Sequence, residues 1–125
     1  MGYVIDSNAV IDYLGGLLPE SGMLFMNTVI NDAPVISIIT QIEVLGYNNP
    51  SEIETLFKQF IDDSLVIPLN DDIVKKTIEI RKKNKIKTPD AIIAATAIVL
   101  GYPLITRNIE DFKKVSSLQT IDPWL

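Results

Sequence analysis

Four carboxylates stand at four separated places in the chain, each beside an apolar run or at the start of a helical one. They are Asp6 in YVIDSNAVI, Glu43 in SIITQIEVLG, Asp90 in KTPDAIIAATA and Asp111 in LITRNIEDF. Neither histidine nor cysteine occurs among the 125 residues to accompany them. Carboxylate-only chemistry on an apolar scaffold points to hard cations bound through oxygen, Mg2+ or Mn2+. It argues against zinc sites, thiol nucleophiles and serine–histidine triads.

The elements that must position these acids can be read from punctuation and periodicity. Tyr3–Ile5 is a short apolar run that ends at an acid, as a buried strand would. Ser7 or Asn8 is placed to cap a helix over 9–14, which Gly15 and Gly16 stop. Helical spacing recurs over 21–30, and 33–36 reads as a second strand. A helix over 40–45 follows, with Gly46 at its end, and Pro50-Ser51 opens another through Phe60 with Ile53, Leu56, Phe57 and Phe60 on one stripe. Residues 65–69 are strand-like. Asn70 caps a helix carrying Ile73, Val74, Ile78 and Ile80; Thr88 caps the next, with Pro89 at its first position and Gly101 as its stop. Residues 103–105 form a strand, and 109–113 a turn of helix at most. Short apolar strands alternating with helices imply an α/β fold of one domain over 1–125, its short parallel sheet flanked by helices on both faces.

The helix over 90–100 has almost no polar face, so it is expected to be surrounded by protein. Its one charge, Asp90, lies in the first turn, where the helix dipole favours an acid. Helices that follow parallel strands start near the strands' carboxyl ends, where ligands bind.

Each acid also has a plain structural explanation. Asp6-Ser7-Asn8 could be a metal ligand with a supporting amide, or only a turn and cap. Glu43 lies three residues after Thr40, and T-x-x-E before apolar residues is a capping-box pattern that needs no metal. Asp90 could be a favourable first-turn acid and nothing more. Asp111, before Phe112, could be a surface acid or a positioned one; Asn108 and Arg107 are the other polar groups of that loop.

The net charge of −5 hides an asymmetry. Between Lys75 and Lys87 lie seven basic residues and one acid, Glu79, a local +6, while 4 basic and 15 acidic residues make the remainder −11. A basic strip on an acidic body suits a protein that touches a polyanion at one edge, with Lys82, Lys83, Lys85 and the separate Arg107 as candidate contacts. The alternative is a solvated helix face. No cysteine framework, charged leader or run of about 20 apolar residues is present, which fits a cytoplasmic protein rather than a membrane one. The apolar segment Met23–Ile30 reads as either an interface or a buried helix.

Taken together, VIDSNAVIDYL, SIITQIEVLG, PDAIIAATAIVLG and PLITRNIEDF resemble the PIN-domain ribonucleases, in particular the VapC-type toxins of toxin–antitoxin pairs. The resemblance runs from Tyr3 to Phe112. It implies that Asp6, Glu43 and Asp90 form the acidic site, with Asn8 supporting the first acid. The fourth position falls on Asn108 or on Asp111. It further implies a Mg2+- or Mn2+-dependent endoribonuclease that is a homodimer and pairs with a small antitoxin protein. Asp6 and Asp90 would bind metal directly, and Glu43 and Asp111 directly or through water. Two rival readings are a PIN-like module that binds RNA or protein without cutting, and a phosphatase of the haloacid-dehalogenase type. The second needs an acid where this chain has Asn8, and room for a cap.

Overall fold

A computed structural model describes residues 2–125. Its sheet is built from five short parallel strands: β1 (Val4–Ile5), β2 (Val35–Ser37), β3 (Leu65–Ile67), β4 (Leu104–Ile105) and β5 (Thr120–Ile121). Their order in space is β3-β2-β1-β4-β5. The register sets Val4 beside Val35 on one side and Leu104 on the other. Successive strand residues point to opposite faces. Val4, Val35 and Leu104 therefore join one apolar cluster, and their neighbours Ile5, Ile36 and Ile105 join another on the far face.

The helices divide between those faces. Helices α1 (Ser7–Leu14), α2 (Glu20–Asn31), α3 (Ile38–Leu45) and α4 (Ser51–Asp62) cover the Ile5 face through Ala9, Val10, Met26, Val29, Val44, Phe57, Phe60 and Ile61. Helices α5 (Asp71–Lys83), α6 (Thr88–Leu100) and the four-residue α7 (Ile109–Phe112) cover the Val4 face through Ile73, Ile80, the alanine-rich body of α6 and Phe112. The α/β architecture with helices on both faces is the one expected from the alternation of apolar runs. Among the described residues, no helix is long and apolar enough to cross a membrane.

Several local expectations are corrected. Helix α3 starts at Ile38, not at Thr40, because Ser37 is its cap: the Ile39 amide donates to Ser37 Oγ at 3.1 Å. Thr40 is thus fully buried inside the helix, and the capping box with Glu43 does not form. Helix α1 starts at Ser7 and its cap is Asp6 itself. Thr88 is the first residue of α6, with Lys87 before it and no side-chain cap; Pro89 still occupies the first turn, and Gly101 ends the helix in the left-handed conformation at φ 72°. Strand β5 went unforeseen because it is two half-buried residues after a polar stretch. On α4, Ile53 and Leu56 face solvent while Ile61 turns inward. On α5, Val74 and Ile78 face outward while Thr77 takes the buried place between Ile73 and Ile80. Val99 is 38% exposed, so only the body of α6 is surrounded by protein.

The segment Met23–Ile30 belongs to α2 and is mixed: Met26 is fully buried and Val29 nearly so, whereas Leu24 is 61% exposed. Met26→Ala should therefore cost roughly 2–5 kcal/mol of stability, and Leu24→Ala should stay within about 0.5 kcal/mol of the parent. Urea unfolding measures both. Equal losses, or a larger loss at Leu24, would reject this packing.

Candidate active site

Strand order locates the crevice. From β1 the chain winds outward to β2 and β3, then crosses back to β4 on the other side of β1. The carboxyl ends of β1 and β4 therefore flank the point where the winding reverses, the place where open α/β sheets bind ligands. Asp6 follows β1, and Thr106 follows β4.

Asp6 is 5% exposed and held by three donors. The Ser7 amide donates to Oδ1 at 2.8 Å; the Thr106 hydroxyl donates to Oδ2 at 2.7 Å; the Asn8 amide donates to the same oxygen at 3.3 Å. Asn8 also ties the two loops together, since its Oδ1 accepts from the Arg107 amide at 3.1 Å. Thr106 Oγ1 in turn accepts from the Asn108 amide at 3.0 Å.

The other acids approach from separate elements. Glu43, on α3, reaches back across 36 residues: Ser7 Oγ donates to its Oε1 at 2.5 Å. Ser7 has one proton and this contact takes it, leaving Thr40 Oγ1 a weak neighbour at 3.4 Å. Asp90 is half-buried in the first turn of α6. Asp111 lies in α7, where the Asn108 side-chain amide donates to its Oδ2 at 2.9 Å. Asn108 and Asp111 are thus one hydrogen-bonded pair rather than two separate positions. Sequence reasoning missed Ser7 and Thr106 as positioning groups. A hydroxyl at the end of an apolar strand was the available signal for Thr106.

Burial first, and repulsion from neighbouring acids second, raise the proton affinity of Asp6 and Asp90. Burial pushes the Asp6 carboxyl up from 3.8 to about 6, with smaller upward contributions from Asp90 and Glu43, against the lowering effect of the Thr106 and Ser7 hydrogen bonds. Asp90 is also raised, first by burial, then by Glu43 and Asp111, and is lowered in part by Lys87. None of the four acids joins a salt bridge among the described residues. Oxygen-only donors that repel one another and lack a cationic partner fit a hard divalent ion. As the side chains stand, no group of three or more acids among the described residues is drawn together tightly enough to hold one. Glu43 is turned to Ser7 and Asp111 to Asn108.

The predicted basic contacts separate. Lys85 lines a groove of about 400 Å3 with Arg81, Ile86, Lys87, Lys114 and the acids Asp90 and Asp111. Lys82 lines the neighbouring depression with Thr77, Ile78, Arg81 and Thr88. Lys83 pairs with Glu79 at 3.4 Å and lines a different hollow, with Ile98 and Val115. Arg107 stacks on the Trp124 ring at 4.2 Å, and Trp124 Nε1 donates to Asp12 at 3.1 Å.

With this geometry in view, the comparison with known proteins is decisive at the level of family. The PIN domain family model matches residues 3–118. The chain belongs to the PIN domain family. This PIN domain is 28% identical over 122 residues to a protein named Ribonuclease VapC1 from Methanocaldococcus jannaschii, covering 90% of this chain and 79% of that one. A shorter match, 44% over 41 residues, links it to Ribonuclease VapC1 of Rickettsia felis. That match spans 33% of this chain and 31% of the relative. Among solved structures, it resembles a chain of a toxin–antitoxin complex from Klebsiella pneumoniae at 26% identity and TM-score 0.77, with 98% of both chains covered. A chain of VapBC-1 from nontypeable Haemophilus influenzae matches at 25% identity and TM-score 0.80 over the same share of both chains. A chain of DNA-bound VapBC from Salmonella typhimurium reaches TM-score 0.84 at 20% identity, again over 98% of each, which is a likeness of fold. The resemblance read from the four sequence segments agrees with these relatives.

Asp6 makes a pH prediction for the metal-free PIN domain. Its folded pKa of about 6 lies above the ordinary 3.8. The folded state therefore holds this proton more tightly than the unfolded state does. The resulting stability is fully present below pH 3.8 and is lost as pH rises through about 6. A gap of about two units corresponds to something on the order of 3 kcal/mol. In EDTA, Asp6→Asn keeps a cap acceptor and sheds the charge, so it should melt higher than the parent at pH 7.5. The advantage should shrink toward zero near pH 4. Paired melting curves across that range test this, and an advantage that grows on acidification would reject it.

Proposed function

We propose that this PIN domain is a Mg2+- or Mn2+-dependent endoribonuclease, the toxin half of a type II toxin–antitoxin pair. The observation that carries the reading is Asp6: a buried acid at the reversal point of the sheet, in the electrostatic reach of Asp90 and Glu43 and without a cationic partner. The names of the relatives, ribonucleases and members of toxin–antitoxin complexes, support the same chemistry and an antitoxin partner. A homodimer in the cytoplasm completes the proposal.

In this reading Asp6 and Asp90 hold the metal directly, and Glu43 and Asp111 hold it directly or through water. When bound, such an ion supplies Lewis-acid stabilisation of the phosphate's developing charge and makes water at the site more acidic. The chain's own residues do the rest. Thr106 and Asn8 fix the Asp6 carboxylate so that its oxygens keep one direction. Ser7 presents Glu43, and Asn108 presents Asp111. With no histidine in the chain, one of these two carboxylates would take the proton that water loses as its oxygen attacks phosphorus, and that proton would pass on to the leaving oxygen as its bond to phosphorus breaks. Of the basic residues read from the sequence, Lys82 and Lys85 are the proposed contacts to the strand, since Lys83 is paired with Glu79 and Arg107 lies on the Trp124 ring. Specificity for RNA would rest on shape and single-strandedness, since scissile phosphates are alike.

Asp6→Asn and Asp90→Asn should each lower RNA cleavage by orders of magnitude while circular dichroism stays that of the parent. The double variant should be little worse than either single, because the residues act as one unit. Parent-rate cleavage by either purified variant would reject the assignment. Millimolar Mn2+ should raise the parent's melting temperature by mass action and leave the double variant's unmoved; a parent indifferent to Mn2+ would reject the metal.

A further inference from the structure

The groove at Asp90 and Asp111 is lined by both signs of charge, and its cations combine part of the strip read from the sequence with one residue from outside it. Asp90 and Asp111 line it together with the cations Arg81, Lys85, Lys87 and Lys114. Lys114 lies 27 residues beyond the end of the strip and is brought in by the fold. Its Nζ donates to the Lys85 carbonyl at 2.7 Å, so this flexible side chain is tethered at the groove. An ammonium has three protons, and two remain for a ligand. Arg81 is held likewise: its Nε donates to the Ile86 carbonyl at 3.3 Å, while its terminal amino groups make no hydrogen bond to protein among the described residues. Neither cation is neutralised by a salt bridge there. Two cations anchored through backbone carbonyls, with donors left over, form a preorganised anion cradle. By contrast Lys76 and Lys83 are taken up by Glu79 on the same helix.

We propose that Arg81 and Lys114, with Lys85 and Lys87, form a phosphate subsite that holds the nucleotide next to the one being cut. The volume of about 400 Å3 suits roughly one nucleotide. A strand lying in the groove would place one phosphate on the Arg81–Lys114 cations and present the adjoining phosphodiester to Asp90 and Asp111. The subsite therefore sets which bond of a bound strand reaches the acids. This rests on the ribonuclease reading, which supplies the strand. It goes further in assigning the grip to a fold-built cluster that includes Lys114 and leaves out Lys83.

The test is binding of a fluorescent single-stranded RNA pentanucleotide in EDTA, where cleavage cannot intervene, across a salt series. Lys114→Met and Arg81→Met should each weaken binding roughly fivefold, the worth of one charged contact at a wet surface. Each should also flatten the plot of log affinity against log salt by about 0.7. Lys58→Met removes an equal charge from the exposed face of α4 and should leave the slope unchanged. Lys114→Arg should restore the slope. If Lys114 only ties down the 84–86 loop, Lys114→Met will lower the melting temperature and leave the salt slope at the parent value, which overturns the subsite. Slope losses equal to that of Lys58→Met overturn it too, by reducing the effect to net charge. A parent that neither binds the pentanucleotide nor cleaves RNA in Mg2+ would sink the ribonuclease reading itself, a result distinct from a binding parent with unaltered variants.

Discussion

The hydrogen bond from Thr106 to Asp6, 2.7 Å long, joins the carboxyl ends of β1 and β4 at the point where the sheet's winding reverses. Most of the site is referred to it. Asp6 is buried at that point, so its charge has to be met there, and the donors that meet it come from both loops. Thr106 accepts the Asn108 amide while it donates to Asp6, so the loop carrying Asp111 is placed by the same oxygen. Burial works against the ionised carboxylate and the donors work for it. The net upward shift shows that burial wins. A polar network this deep is costly unless every member is satisfied. Among the described residues no buried side-chain nitrogen or oxygen lacks a hydrogen-bond partner.

Much of the fold was legible in the order of apolar runs. Strands β1, β2 and β4, only two or three residues long, were identifiable because each begins as a buried apolar run between helical layers. Asn70, Gly101 and Pro89 marked helix ends by their own backbone chemistry. Where local patterns misled, a residue farther along the fold had the stronger claim. Thr40 looked like a cap for Glu43, but Ser37 caps the helix, Thr40 is core, and Glu43 answers to Ser7, 36 residues away. Val74 and Ile78 continue a helical stripe in the sequence, yet α5 buries Ile73, Thr77 and Ile80 and leaves those two exposed.

The candidate site was legible in kind but not in arrangement. Carboxylate chemistry follows from composition, and Asp6 stands at a strand end and Asp90 and Asp111 in first turns, while Glu43 lies in the second turn of α3. Their partners do not follow from sequence spacing. Thr106 lies 100 residues from Asp6, and Lys114 lies 29 from the Lys85 carbonyl it holds. Charge patterning located a basic region in bulk, because all seven of its cations fall on α5 and the loop between it and α6. It could not show that Glu79 would take up Lys76 and Lys83, nor that Arg107 would lie on an indole ring.

The separation between Asp6 and Thr106 also bears on when the chain becomes competent as it folds. Closing a loop of about 100 residues costs more entropy than any local contact in the molecule, and it is repaid only when β1 and β4 are already side by side. Helices such as α5 and α6 can form and meet early, since they are neighbours in sequence. The acids cannot be gathered early in this way. A partly folded chain holds them on unconnected pieces, so the site assembles with a long-range closure instead of growing in proportion to helix content. The gathered acids and the complete topology thus arrive together.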